Sequence, residues 1–419
     1  MIGLIDGNNF FVSCERIFDR TLVGKPVAVM SSNDGCVVSR SNEFKALGIA
    51  MGTPYFQLKP DIARLGLILR SGNHELYADI SRRVMQTLAE FAPDIEQYSI
   101  DEAYIHPVLD KNADWESFGK EIRKTILKWV GIPCGVGFAP TKNLAKIANH
   151  IGKKSPSGVF VMPDDIKSVI DKLPVEEVWG VGRNLSQKLR KNAIYTAWQL
   201  ANYGDEKLHN MFSIGMVRTA MELRGIPCYE EEDINALSQS ISYSRCYGKP
   251  VVDFDDITQS VSYFIARAAE KLRAEGQRAS GVNIYSIYYP EYKPYRLDGG
   301  MDEVSVSFPV ATDDTIDMLN SVKPHLPRLF RRGRRYKKSG IVFWGLGNQA
   351  VQLDLFAPKQ TATNSKLFEA VDKINAKFGK RALIPLSEGL EKKWLPKRNM
   401  ASPNYTTDWN DIPIARKFS

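Results

Sequence analysis

The chain has 419 residues, 43% hydrophobic, 25% charged and 10% aromatic, and at roughly 100 to 200 residues per domain that is enough for about three domains with substantial cores. A small module or a disordered tail is excluded. The 56 Lys and Arg against 48 Asp and Glu leave a formal charge of +8, a modest attraction for polyanions; five scattered cysteines without a Cys-x-x-Cys pair argue against a disulfide framework or a zinc site.

In chain order, Met1 to Ile5 reads as a short buried strand that delivers Asp6 at its end, followed by the turn formers Gly7-Asn8-Asn9. From Glu75 to Glu90 the apolar residues Leu76, Ile80, Val84 and Leu88 recur every four positions and predict an amphipathic helix. Asp94 to Ile105 predicts strand, turn, strand, with Asp101-Glu102 at or near the turn. Phe118 to Val130 is helical, Cys134 to Ala139 a strand and Thr141 to Ile151 a helix, which together suggest a two-layer α/β core. A helical region runs from about Pro163 to Gly225. Beyond it the order is strand (240–247), helix (256–274), strand (282–289), strand (303–309), helix (313–332), strand (341–346), a ferredoxin-like βαββαβ domain. Residues 357–365 read as a linker, and Leu367, Phe368, Val371 and Ile374 as one short helix in the tail.

Charge is concentrated in one place. No acidic residue lies between Asp317 and Asp354, while Lys323, Arg328, Arg331, Arg332, Arg334, Arg335, Lys337 and Lys338 crowd the first half of that gap. The second helix of the βαββαβ domain is expected to carry this run, along with the strand after it, which suits a nucleic-acid backbone. A solvated helix face is the ordinary alternative.

The sharpest chemical constellation is Asp6 at a strand end with Asp101 and Glu102 in a hairpin. Adjacent carboxylates at a turn can converge, and a neighbouring strand can bring a third alongside. Three of them suit two Mg²⁺ ions, hard cations that bind a triphosphate, lower the pKa of an attacking hydroxyl and stabilise a leaving oxygen. On spacing alone they could equally be ordinary turn carboxylates.

The surrounding residues discriminate. Tyr98-Ser99-Ile100-Asp101-Glu102-Ala103 and Leu4-Ile5-Asp6-Gly7-Asn8-Asn9-Phe10-Phe11 resemble the two metal-binding motifs of the Y-family translesion DNA polymerases. Residues 136–146, from Val136-Gly137-Phe138 to Lys146, match as well. Ser402-Pro403-Asn404-Tyr405-Thr406-Thr407 is similar to the tail of the UmuC-type members, the catalytic subunits of DNA polymerase V.

The resemblance implies an α+β multidomain right hand: palm at 1–11 and 74–162, fingers at 12–73, a helical thumb at 163–232, the ferredoxin-like little finger at 240–347, and a clamp-binding peptide with a partner-binding tail at 348–419. It implies that Asp6, Asp101, Glu102 and the carbonyl of Gly7 hold two Mg²⁺ ions. It places Phe11 under the incoming sugar, where the ring collides with a ribose 2′-OH, and Asn42, Lys45 and Lys153 on the triphosphate; several relatives have Tyr where Asn42 stands.

Val178-Trp179-Gly180-Val181-Gly182-Arg183 followed by Leu185, Leu189, Ile194 and Thr196 resembles a helix-hairpin-helix. Gly180 and Gly182 let backbone N–H groups approach a DNA phosphate without reading sequence; the usual glycine before Ile194 is Ala193 here. Gln352, Leu353, Asp354, Leu355 and Phe356 resemble the peptide that docks into the sliding clamp. Gly345-Leu346-Gly347 matches a dinucleotide fingerprint only superficially, because no helix of useful length is expected after it.

The implied activity is error-prone, DNA-directed DNA synthesis opposite damaged templates in the SOS DNA damage response, without a proofreading exonuclease. Implied partners are primer-template DNA, dNTPs, a UmuD′ homodimer, RecA and the sliding clamp, with the chain from Ala357 onward, including Trp394 and Trp409, as the UmuD′ contact. No membrane association is expected, since no stretch approaches the ~18 to 20 apolar residues of a spanning helix. The expected setting is the cytoplasm, at the nucleoid when DNA is bound. The alternatives are a self-sufficient polymerase resembling polymerase IV and a non-catalytic DNA-binding scaffold that slows replication; a nucleotide cyclase would need the paired acids but neither the helix-hairpin-helix nor the clamp peptide.

Overall fold

The computed structural model describes residues 1–110, 112–229, 237–290, 299–347, 362–379 and 381–414, the side chains of 362–366 excepted. The chain forms two compact units, one of Met1–Ile234 with Met400–Ser419 and one of Asn235–Asn399. The clamp-like peptide at Gln352 to Phe356 lies outside the described residues.

Among the described residues the first unit has eight strands: β1 (Ile2–Gly7), β2 (Val27–Met30), β3 (Val37–Arg40), β4 (Ile68–Ser71), β5 (Asp94–Gln97), β6 (Glu102–His106), β7 (Cys134–Ala139) and β8 (Val159–Val161). Five of them make one sheet in the order β5-β6-β1-β7-β8, and β3-β2-β4 make a smaller one. In the large sheet β1 is central and antiparallel to both neighbours. Successive residues of a strand point to opposite faces, and Leu4 and Ile5 accordingly enter two different cores.

On the Ile5 face lie the helices Phe10–Phe18, His74–Leu88 and Trp115–Trp129, each with its apolar stripe buried. The Leu4 face carries the helix Lys142–Gly152, which presses onto β7 because Gly137 has no side chain: a Cβ there would stand 2.2 Å from the backbone N of Asn149. Short helices from Ile166–Ile170 to Ile214–Leu223 complete this second core. Buried Glu222 ties them to the helix Lys142–Gly152, its Oε2 accepting from the N–H of Asn143 at 3.0 Å.

The second unit is built from β9 (Ile241–Val251), the helix Phe254–Ala274, β10 (Ala279–Tyr288), β11 (Met301–Thr312), the helix Thr315–Val322 and β12 (Tyr336–Trp344). The strands lie in the order β11-β10-β12-β9, every neighbouring pair antiparallel. The helix expected over 313–332 stops at Val322, and Lys323–Leu329 is a 3₁₀ turn with Pro324 and Pro327 inside it. Proline lacks an N–H and clashes with the preceding turn, so the basic run sits on that turn, the loop after it and the start of β12 rather than along a helix.

The tail also departs from expectation. A helix, Ala362–Phe378, begins inside the expected linker, and Arg273 holds it by hydrogen bonds of 2.7 and 3.0 Å to Asp372. Trp394, expected at a partner surface, is 1% exposed in the core of the second unit, edge-on to Tyr247, Tyr263 and Phe264. Trp409 is 89% exposed.

Candidate active site

The two acidic motifs meet because β1 and β6 are paired. Asp6 stands directly opposite Glu102 in the antiparallel register, which puts their side chains on one face of the sheet, the face covered by the helix Lys142–Gly152. Asp101 is one residue earlier, and its carbonyl accepts the N–H of Gly7 at 2.9 Å. Ser99 sets the turn. Its hydroxyl donates to Asp101 Oδ1 at 2.7 Å and accepts from the N–H of Glu102 at 3.0 Å.

Two lysines, Lys146 within the opposing helix and Lys153 just past its end, neutralise this charge. Lys153 Nζ lies 2.5 Å from Asp6 Oδ2, and Lys146 Nζ donates to both Glu102 oxygens at 3.1 and 3.2 Å while resting 4.4 Å from the centre of the Tyr98 ring. Lys153 crosses β7 above Gly135, where a Cβ would come within 2.6 Å of its Cγ. Burial pushes the Asp6 carboxyl up to about 6, Lys153 opposes the rise, and the charges of Glu102 and Asp101 add to it.

Asp6 and Glu102 are turned onto lysines and Asp101 onto Ser99, and no three His, Cys, Asp or Glu side chains among the described residues are gathered closely enough to hold a metal ion. The donor set still fits a hard divalent cation: carboxylates from two adjoining strands and the turn between β5 and β6, two of them already matched by lysines.

Phe10 and Phe11 part company. Phe10 is 3% exposed in the core, whereas Phe11 is half-buried and stacks on Tyr77, ring centres 4.5 Å apart and planes at 15°, with the edge of His74 against it. The left-handed Asn9 (φ 49°) starts the helix Phe10–Phe18 and so brings Phe11 to its first turn. Asn42 accepts from Asn9 Nδ2 at 3.0 Å, near the same turn. Lys45 is held below the usual lysine range by burial and by its cationic neighbours Arg40 and Lys153, against the pull of Asp6. Lys45, Lys153 and Asp6 therefore share one electrostatic environment. Sequence reasoning gave no role to Lys146 or Arg40; Lys146 lay inside a matched motif, and only its ion pair with Glu102 reveals its work.

The helix-hairpin-helix residues surround the helix Arg183–Lys191. Gly180 adopts φ 87°, Gly182 precedes the first turn, and space for a Cβ at Gly182 is open. Ala193 takes φ 61°, the left-handed conformation a glycine would hold without strain. In the second unit Arg331, Arg332 and Arg335 are exposed. Arg334 is engaged: it pairs with both oxygens of Asp302, itself 8% exposed, and lies 3.9 Å from the centre of the Tyr288 ring.

Residues 5–150 match the model of the impB/mucB/samB family, and residues 238–355 match that family's C-terminal domain. Protein UmuC of Salmonella typhimurium is 41% identical over 98% of this chain and 99% of its own. The chain belongs to this family. Protein ImpB of the same species is 37% identical over 99% of this chain and all of its own, and DNA polymerase IV 1 of Bacillus subtilis is 26% identical over 90% and 91%. The tail, residues 365–415, matches a domain of unknown function.

Among solved structures, a chimera of the Y-family DNA polymerases Dbh and Dpo4 superposes with a TM-score of 0.64 at 22% identity, covering 82% of this chain and 99% of its own. An insertion ternary complex of Dbh DNA polymerase gives 0.56 at 21%, covering 82% and 98%. The fold is the Y-family polymerase fold. The chain is a UmuC-type, error-prone translesion DNA-directed DNA polymerase of SOS mutagenesis.

Proposed function

We propose that Asp6, Asp101 and Glu102, with the carbonyl of Gly7, hold two Mg²⁺ ions and that synthesis proceeds at this cluster. The observation that carries the reading is Asp6 facing Glu102 across β1 and β6, with Asp101 one residue away and lysines supplying counter-charge. When bound, the ions lower the pKa of the primer 3′-hydroxyl and stabilise charge on the leaving pyrophosphate. The primer oxygen bonds to the α-phosphorus of a dNTP as the bond to pyrophosphate breaks.

The chain's own groups position and discriminate. Lys45 and Lys153 receive the triphosphate with Asn42 beside them, and Lys153 releases Asp6 as it does so. Phe11 lies under the sugar and excludes a 2′-OH by contact. Gly180 and Gly182 bring backbone N–H groups to a DNA phosphate at the N-terminus of the helix Arg183–Lys191. In the second unit Arg331, Arg332, Arg335, Lys337 and Lys338 contact the DNA backbone.

Leu355 and Phe356 dock into the sliding clamp, supported by Gln352, Leu353 and Asp354. The UmuD′ dimer and RecA complete the active assembly, with Trp409 as the UmuD′ contact. Among the described residues no helix is long and apolar enough to cross a membrane. The proposed setting is the cytoplasm, at the nucleoid when DNA is bound.

The test is primer extension with Mg²⁺ on undamaged and abasic templates, comparing wild type with Asp101→Ala, each with and without UmuD′, RecA and clamp. Loss of about three orders of magnitude in rate with DNA affinity retained is expected for a metal ligand. Equal extension by the variant would overturn the assignment. Full activity of the wild type without any partner would instead make it self-sufficient, as the polymerase IV reading requires.

A further inference from the structure

The end of the tail, which belongs to the first unit, runs behind Phe11. Phe11 stacks on Tyr77, which is fully buried, and the Tyr77 hydroxyl donates to Glu15 Oε1 at 2.7 Å. The same Glu15 oxygen accepts from the Ser402 hydroxyl at 3.1 Å, across 387 residues of sequence. Glu15 is 1% and Ser402 8% exposed. An unbroken set of contacts, Ser402 to Glu15 to Tyr77 to Phe11, therefore links the tail to the ring placed under the sugar.

The neighbouring contacts fix the two helices that carry those residues. Asn73, the N-cap of the helix His74–Leu88, accepts from the N–H of Leu76 and donates to Ser402 Oγ at 3.0 Å and to the Pro403 carbonyl at 3.2 Å. Ser71 and Met400 exchange hydrogen bonds of 2.9 and 3.0 Å just before it. Tyr405 stacks on Phe18, the last residue of the helix that bears Phe11 and Glu15, with centres 4.7 Å apart and planes at 6°. The tail thus grips the helix under the ring and the helix beside it.

We propose that residues 400–405 are a positioning element for Phe11 and that Ser402, acting through Glu15 and Tyr77, sets the strictness of sugar selection. The proposal rests on the reading of Phe11 as the group that excludes a 2′-OH. Steric exclusion of one hydroxyl depends on the ring holding its place within a fraction of an ångström, and a displacement that leaves deoxyribose binding intact opens room for ribose. Tyr77 sets that place by stacking, and its own position is pinned by a buried carboxylate whose second hydroxyl donor comes from the tail.

The experiment is single-nucleotide insertion by the full chain in its active assembly, with kcat/KM measured for a dNTP and the matching rNTP. Ser402→Ala is expected to lower the dNTP-to-rNTP preference by about three- to tenfold, mainly by raising rNTP kcat/KM. Ser402→Thr, which keeps the hydroxyl, restores the preference. Tyr77→Phe keeps the stacked ring, removes the link to Glu15 without touching the tail, and is expected to match Ser402→Ala.

If Phe11→Ala relaxes selection while Ser402→Ala and Tyr77→Phe leave it at the wild-type value, the positioning role is overturned and Phe11 keeps its own. If Phe11→Ala leaves selection unchanged, the reading of Phe11 falls and the proposal with it. A loss of melting temperature in Ser402→Ala without a change in sugar preference makes the contact purely structural and also overturns the proposal.

Discussion

Outside the acidic cluster, Glu15 is a buried carboxyl whose protonation the fold disturbs. Burial raises its carboxyl above the ordinary 4.5, more than the Tyr77 and Ser402 hydroxyls and Arg70 lower it. The folded chain therefore keeps a proton that the unfolded chain releases. From about pH 4.5 upward stability falls with pH until the folded group has itself ionised, after which the loss is constant. Glu15→Gln keeps the shape and an acceptor oxygen but does not titrate. The melting temperature of wild type relative to Glu15→Gln is expected to fall as pH rises from 4.5 and then level off. A difference that stays flat from pH 4.5 to 8 would show that Glu15 does not titrate abnormally.

At this scale the sequence was informative where neighbours in space are also neighbours in a motif. Asp6, Asp101 and Glu102 could be picked out because each sits in a short run that a strand or turn must present. Lys146 as the partner of Glu102, and Ser402 as the partner of Glu15, could not, because each pair is created by folding across dozens to hundreds of residues.

Among the elements, the hairpin after the helix Arg183–Lys191 carries a local conflict. Ala193 occupies the residue that follows the helix cap, with φ 61°, where the Ile194 N–H reaches back to the Leu189 carbonyl at 3.0 Å. A side chain in this conformation costs about 1 to 2 kcal/mol, and glycine gives back about 0.4 to 1 through the freer unfolded chain. Ala193→Gly is therefore expected to stabilise by about 0.5 to 1 kcal/mol, read from a denaturant midpoint shift at constant slope. Destabilisation would mean that the alanine methyl makes contacts worth more than the strain.

The basic turn before β12 separates two kinds of arginine that composition cannot distinguish. Removing Arg334 leaves the nearly buried Asp302 without its main cation, although the Tyr336 hydroxyl still donates to it at 2.9 Å. Arg334→Ala should cost about 2 to 3 kcal/mol. Exposed Arg332 has no such partner to strand, so Arg332→Ala should leave stability within about 0.5 kcal/mol and reduce the salt slope of DNA binding by about one. If Arg332→Ala unfolds the domain, or Arg334→Ala weakens DNA binding with stability intact, the roles are reversed. Periodicity predicted the six elements of this domain in their correct order, and failed at the end of its second helix because apolar spacing continued through Pro324 and Pro327.

Over the whole molecule the tail is where sequence and structure diverge most. The family resemblance implies a clamp-binding peptide and a partner-binding tail over residues 348–419, with 357–365 as a linker. Folding divides the described part of it: residues 362–379 and 381–399 join the second unit and residues 400–414 the first. Trp394 fills the second core, with its carbonyl accepting the Gly248 N–H at 3.0 Å, whereas Trp409 lies open with Ile414, 86% exposed, a few residues on. A tryptophan in a packed core costs about 3 to 5 kcal/mol to truncate, and an exposed one almost nothing. Trp394→Ala should lower the melting temperature of the full chain markedly and impair every activity together. Trp409→Ala should melt with wild type and lose only the capture of the UmuD′ dimer, because an exposed aromatic anchors a partner by the area it buries there. Pull-down of purified UmuD′ by the two variants, alongside their melting curves, separates the effects. Undiminished capture by a folded Trp409→Ala chain would move the partner surface elsewhere, and a Trp394→Ala chain that melts like wild type would show that the tail does not contribute to the core.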